Sequence, residues 1–170
     1  ASRAEIDRVV RLYYKAGVRH IVALRGDVPD GGRFRPHPQG YQNAAGLVYG
    51  IKHIAPDMQI SVAAYPEKHP DAPSLTADLD NLKRKIDNGA ERVITQFFFD
   101  ADDYFRFLDK ALAAGIEVPI VPGVLPVTNF ARVADFAGKC GARIPASMAR
   151  LFQDLDQSPE VRELVAASVA

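Results

Sequence analysis

Four short apolar runs, none with an alternating polar face and each set between amphipathic segments, constrain the fold of this chain more than any other feature. They cover residues 20–24, 60–65, 93–99 and 118–125. A strand that is apolar on both sides must be covered on both sides, and that is the condition of a parallel sheet wrapped by helices. The intervening segments carry helical periodicity. Ile6, Val9, Val10 and Tyr13 form one apolar stripe, stopped by Gly17, and a helix fits 44–54. Leu75, Leu79, Leu82 and Ile86 form the clearest stripe, with Ser74 as N-cap and Gly89 as stop. Further helices fit 104–112, closed by Gly115, and 130–137, with a helical tail through Met148, Leu151, Leu164 and Val165. The Pro- and Gly-rich stretch 28–40 reads as a long surface loop. The order is therefore one helix, then strand and helix alternating four times.

Two architectures satisfy this order, a doubly wound sheet and a (βα)8 barrel. Asp27, Glu67 with His69, Gln96 and Asn129 each fall at or just beyond the C-terminal end of a strand. Barrels gather their chemistry at that edge, which favours the barrel, but doubly wound sheets bind ligands there too, and both stay open on the pattern alone.

Composition narrows the function. The 170 residues are 48% hydrophobic, enough for one core, and 21 basic residues balance 21 acidic ones. A net charge of zero supplies no global field for nucleic acid or an acidic membrane surface, and neither partner is expected. Lone Cys140 excludes a disulfide framework and a cysteine-built metal site, pointing to a reducing, cytoplasmic setting. His20, His37, His53 and His69 lack the spacing of zinc ligands, so no metal is expected. No phosphate loop and no Gly-x-Ser-x-Gly nucleophile motif is present.

Three features carry chemistry. Gln96 interrupts an otherwise apolar strand, and a buried amide without partners costs about 1–3 kcal/mol. Either a neighbouring backbone group satisfies it, or it faces a ligand; an amide that both donates and accepts suits the lactam-like edge of a fused heterocycle. Asp27 follows Gly26 directly after a strand, aimed either at a ligand or at its own turn. Asn81, Arg84 and Lys85, with Asp78, share one face of a helix. That face suits phosphates and ribose hydroxyls, or else it is a solvated surface of intrahelical pairs.

Taken together, the segments Ala23-Leu-Arg-Gly-Asp27, Ser61-Val-Ala-Ala-Tyr-Pro-Glu67 with His69-Pro70, Asp78 to Lys85, Ile94-Thr-Gln-Phe-Phe-Phe99, and Pro122-Gly-Val-Leu-Pro126 with Asn129-Phe130 resemble the methylenetetrahydrofolate reductase family. The motifs occur in the family's order and cover nearly all of residues 18–152. The resemblance implies a flavin-containing (βα)8 barrel of one-carbon metabolism and methionine biosynthesis. Such an enzyme uses NADH or NADPH to reduce 5,10-methylenetetrahydrofolate to 5-methyltetrahydrofolate, by ping-pong hydride transfer through FAD. It assigns Asp27 as catalytic, near both flavin and folate. Flavin contacts would also come from Arg25, Gly26, Ala44, Tyr65, His69, Asp78, Asn81, Arg84 and Lys85. Gln96 matches the glutamine that binds pterin and nicotinamide, and Phe136 an aromatic that packs over them. Arg132 stands where the family carries Gln near the folate tail.

Several family motifs are absent: the first-strand Glu that serves as general acid, the second-strand Thr loop, the third-strand His-Leu-Thr motif and the final strand. A whole barrel takes about 250 residues. The expectation is that residues 1–170 are a partial catalytic barrel carrying the fourth to seventh of eight strands, cut at both ends, in a homo-oligomeric enzyme. The competing expectation is an inactive half-barrel held together by self-association or by the missing segments. A Schiff-base aldolase is disfavoured, because no strand end carries Lys.

Overall fold

The computed structural model describes residues 1–26, 34–127, 129–155 and 158–169. Among them, seven helices and four strands follow one another as α1 (Arg3–Lys15), β1 (His20–Ala23), α2 (Ala44–Ile54), β2 (Gln59–Ala64), α3 (Leu75–Asp87), β3 (Arg92–Phe97), α4 (Ala101–Ala113), β4 (Ile120–Gly123), α5 (Phe130–Cys140), α6 (Ala146–Leu151) and α7 (Pro159–Val169). Local chemistry sets the helix starts. Ser2 accepts the N–H of Glu5 while Glu5 takes the N–H of Ser2 at 2.7 Å, a capping box at α1. Asn43, Ser74, Asp100 and Asn129 cap α2 to α5 with their side-chain oxygens.

The strands are parallel and lie in the order β1-β2-β3-β4. Val22 pairs with Ser61, Val62 with Val93, and Ile94 with Val121. The strand order does not reverse among the described residues, so the crossing point that defines a doubly wound sheet is missing from these four strands. Ala23, Ile60, Val62, Ala64 and Val93 share one face and pack against Val10 of α1, Val48 and Ile51 of α2, Leu82 of α3, and Phe107 and Ala111 of α4. Burying each of the larger side chains contributes about 1.5–3 kcal/mol. Helices α1 to α4 thus lie on one side of the sheet. On the other side, Val22, Leu24 and Val121 remain 50, 54 and 41% exposed.

Strands end earlier than the apolar runs do. Leu24 and Tyr65 lie past the ladder and line a cavity, whereas Phe99 and Leu125 join a second core under α5, α6 and α7 with Val127, Val133, Met148 and Phe152. Strand-like composition there serves other packing. At β4 the run begins with Val118, but Pro119 has no N–H to donate and pairing starts at Ile120. Gly123, at the end of β4, donates to Thr95 Oγ1 at 2.9 Å, and a Cβ there would overlap the Thr95 carbonyl.

The described end of the long loop is tied to α1, where the Arg3 N–H donates to the Gln39 carbonyl at 2.9 Å, and the residue that follows the loop adds a second tie. Tyr41 donates to Asp7 Oδ1 at 2.7 Å, and burial together with Asp7 pushes its pKa up to about 12, so it stays a donor. Gly50 makes this docking feasible, since a Cβ would collide with the Tyr41 ring and hydroxyl.

Candidate functional site

At the C-terminal edge of β1 to β3, bounded by the sheet and by α2 and α3, lies an open cavity of about 740 Å³. Arg25 and Gly26 enter it from the end of β1, and Ala44 from the first turn of α2. Tyr65 and His69 reach it from beyond β2, Asp78, Asn81, Arg84 and Lys85 from α3, and Gln96 from β3. Ten of the residues singled out in the sequence therefore converge on one cavity, from segments up to 71 positions apart (25 to 96).

His69 organises the loop after β2. Its N–H donates to Asp78 Oδ2 at 2.8 Å, and its Nδ1 accepts the Asp71 N–H at 3.0 Å. An accepting Nδ1 puts the ring proton of the neutral imidazole on Nε2. Burial, reinforced by Arg25, holds the His69 pKa below its usual 6.5. The ring meets Tyr65 edge-on at 4.5 Å.

The α3 face divides between the two alternatives left open by the sequence. Arg84 is exposed and touches Asn81 Oδ1 at 3.5 Å, as a solvated pair would. Lys85 is buried, and its Nζ donates to the Ala63 carbonyl at 2.7 Å. Burial pulls the Lys85 pKa below 10.5 against the opposing pull of Asp78. A desolvated amine at a cavity wall is a strong anion ligand.

Gln96 fits both of its alternatives. Its Oε1 accepts the Phe97 N–H at 3.0 Å, within the register irregularity between β3 and β4 that runs from Ile94 to Phe97. The same side chain lines the cavity.

Phe136 and Arg132 stand apart on α5. Phe136 stacks on Phe97 at 5.4 Å beside Gln96, while Arg132 is exposed, and neither lines the cavity. Asp27 lies outside the described residues. Asn129 is a helix cap, and Glu67 belongs to an ion cluster with Arg143. Sequence reasoning passed over Phe34 and Asp71, which also line the cavity; both are loop residues, without periodicity to mark them. Among the described residues no group of His, Cys, Asp and Glu is arranged to hold a metal ion, and no helix is long and apolar enough to cross a membrane.

Comparison with known proteins bears on all of this. A family model described as methylenetetrahydrofolate reductase matches residues 1–170. The 5,10-methylenetetrahydrofolate reductases of Salmonella typhimurium and Escherichia coli are each 52% identical over 170 residues, covering all of this chain and 55% of theirs. The Arabidopsis thaliana protein named methylenetetrahydrofolate reductase (NADH) 1 is 34% identical over 167 residues, or 28% of its length. The chain thus spans about half the length of its bacterial relatives. A solved structure described as an uncharacterized protein from Clostridium thermocellum that binds two copies of 5-methyl-5,6,7,8-tetrahydrofolic acid shares the fold, with a TM-score of 0.61 at 15% identity. That likeness covers 99% of this chain and 55% of the other.

Proposed function

Because the chain belongs to the methylenetetrahydrofolate reductase family, we propose that it forms the cofactor-facing part of an oxidoreductase that reduces 5,10-methylenetetrahydrofolate to 5-methyltetrahydrofolate with NADH or NADPH. The carrying observation is the convergence of ten residues from the end of β1, α2, the β2–α3 loop, α3 and β3 on one cavity.

The residues present fit FAD. The volume falls within the range of about 300–1,000 Å³ typical of cofactor sites. Three cations, Arg25, Arg84 and Lys85, suit a diphosphate, and Asn81 and Asp78 suit ribose hydroxyls. Tyr65 and neutral His69 offer ring contacts with a free Nε2 proton to donate. Bound there, FAD would supply a two-electron relay between the nicotinamide and the folate methylene carbon in ping-pong order. The protein's own part is to hold and orient. Gln96, with Oε1 fixed by Phe97, presents its Nε2 amide to a pterin or nicotinamide edge. Phe136, stacked on Phe97, packs over whichever of the two is bound. Arg132 meets the folate tail, and Asp27 supplies a carboxylate that stabilises positive charge developing on the folate.

The helix-free sheet face supports a further part of the reading: these four strands are half of a (βα)8 barrel whose remaining strands cover Val22, Leu24 and Val121. Residues 1–170 would then be one portion of a single cytoplasmic catalytic domain, inactive alone and active in a homo-oligomer.

The full-length protein tests this reading. It is expected to purify with FAD and to oxidise NADH or NADPH when methylenetetrahydrofolate is the acceptor. A colourless protein that takes up no added FAD and oxidises neither nicotinamide would overturn it.

A further inference from the structure

The cavity carries its own anion. Asp71, in the loop between β2 and α3, lines the wall and pairs through Oδ2 with Arg25 Nη1 at 2.8 Å, the one ion pair among the described residues in which both partners face the cavity. Neither group is placed by chance of a free side chain. The Arg25 guanidinium lies over the Phe34 ring at 4.7 Å, which leaves its N–H edge to face acceptors. Asp71 rides on a turn fixed at several points. Its N–H donates to His69 Nδ1, the Ala72 N–H donates to the His69 carbonyl at 2.9 Å, and Lys68 Nζ binds the carbonyls of His69 and Ala72 at 3.1 and 2.6 Å. The other carboxylate that lines the cavity among the described residues, Asp78, is committed to the His69 N–H.

We propose that Asp71 is an internal counter-anion for Arg25, occupying the place of a ligand's acidic group, so that anionic ligands enter the cavity by exchange. The inference rests on the flavin reading for its ligand and deepens it by naming a residue that sets charge selectivity. The pair is open to water, with side-chain exposures of 31 and 59%, and open pairs are weak. A diphosphate has two linked charges to set against the cations of the cavity, Arg84 and Lys85 beside Arg25, and displaces such a carboxylate readily. A singly charged ligand gains little from trading one anion for another, and a neutral ligand leaves the pair intact. Asp71 therefore disfavours small anions, keeps Arg25 in place before binding, and lowers the affinity for any polyanion it must give way to.

The test uses the full-length apoprotein as wild type, Asp71→Asn and Asp71→Ala, with Asp87→Asn on the far end of α3 as a charge control. Each is titrated with FAD, with riboflavin, which has the same ring and no phosphate, and with inorganic pyrophosphate. Both Asp71 variants are expected to bind FAD and pyrophosphate roughly threefold to fivefold tighter than wild type at low salt. The gain should shrink as salt rises, with riboflavin and the control variant unchanged. Unchanged or weaker FAD binding in both Asp71 variants, beside a wild type that does bind FAD, overturns the inference and leaves the flavin reading standing. If wild type takes up neither flavin, that reading fails and pyrophosphate decides: a gain upholds the inference, and equal or undetectable binding in all proteins overturns it.

Discussion

Lys85 is the residue at which folding and binding pull in opposite directions. Its amine is buried at the cavity wall and donates to a backbone carbonyl, and burial pulls its pKa below 10.5 against the charge of Asp78. The sign follows from linkage. Below the folded pKa the amine is charged in both states and the full penalty of burying it is present. As pH rises from the folded pKa toward 10.5 the unfolded chain binds more protons than the native one, and stability rises. Lys85→Met, of similar length, lacks this titration. Thermal unfolding of the two apoproteins at pH 7 and pH 10 is expected to show wild type gaining on the variant at the higher pH; parallel profiles would remove the burial argument. The same variant should bind FAD at least about tenfold more weakly, since a charge-assisted hydrogen bond of about 1.5–3 kcal/mol is lost. The sequence displayed Asn81, Arg84 and Lys85 as one face and could go no further. Exposure of Arg84 and burial of Lys85 depend on where β2 passes beneath α3, and that is a tertiary fact. Gln96 was legible as an anomaly for a simpler reason, being the single polar amide in an apolar strand.

Elements are joined across the strand ends by a cluster with no trace in local sequence. Glu67, beyond β2, accepts the Arg143 N–H with both oxygens, at 3.1 and 2.8 Å, across 76 positions. The Arg143 guanidinium binds Asp100 and Asp103 at 3.0 Å each, so one residue of the α5–α6 link holds the start of α4 and the loop after β2. Burial, with the neighbouring Asp103 carboxylate, raises the Glu67 pKa above 4.5 despite Arg143. Burial also acts upward on Asp103, yet Arg106 and Arg143 outweigh it and hold that carboxyl low. Of the two carboxyls, Glu67 is therefore the one that takes up a proton more readily. A carboxyl whose folded pKa is raised contributes stability that is fully present below pH 4.5 and is lost as pH rises through the folded value. Glu67→Gln keeps an acceptor for Arg143 and a donor for Asp103 without the charge. Its melting temperature is expected to exceed that of wild type at pH 8, with the difference closing toward pH 4. A difference that is constant with pH would place the proton elsewhere. Helix positions, by contrast, were readable: α2 spans the expected 44–54 and Ser74 caps α3, because caps and apolar stripes are local chemistry. Strand ends were not, since whether Leu24 or Phe99 pairs, packs or faces a cavity depends on neighbours distant in sequence.

At the scale of the molecule, one side of the sheet decides what the chain can be alone. Helices α1 to α4 satisfy one face, while the other presents Val22, Leu24 and Val121 over β strands whose outer edges, β1 and β4, have no partner strand among the described residues. Exposed α7 residues Val161 and Leu164 add to the uncovered apolar surface. Parallel sheets occur almost only with both faces covered, and free strand edges invite further pairing. Within the proposed barrel, four more strands would close both edges and fill the face at once. A chain of residues 1–170 made by itself has only copies of itself to serve that purpose. Its mass by light scattering is expected to exceed 18.6 kDa and to rise with concentration, and it should bind a hydrophobic dye that the full-length protein does not. Val22→Asn with Val121→Asn is the informative pair, because both lie on the open face and neither belongs to the core that packs under the helices. The double variant should shift the chain toward monomer and weaken dye binding while its helical signal persists. A wild-type chain that stays at 18.6 kDa over a hundredfold range of concentration and binds no dye would mean that the open face needs no cover, and the half-barrel reading would go with it.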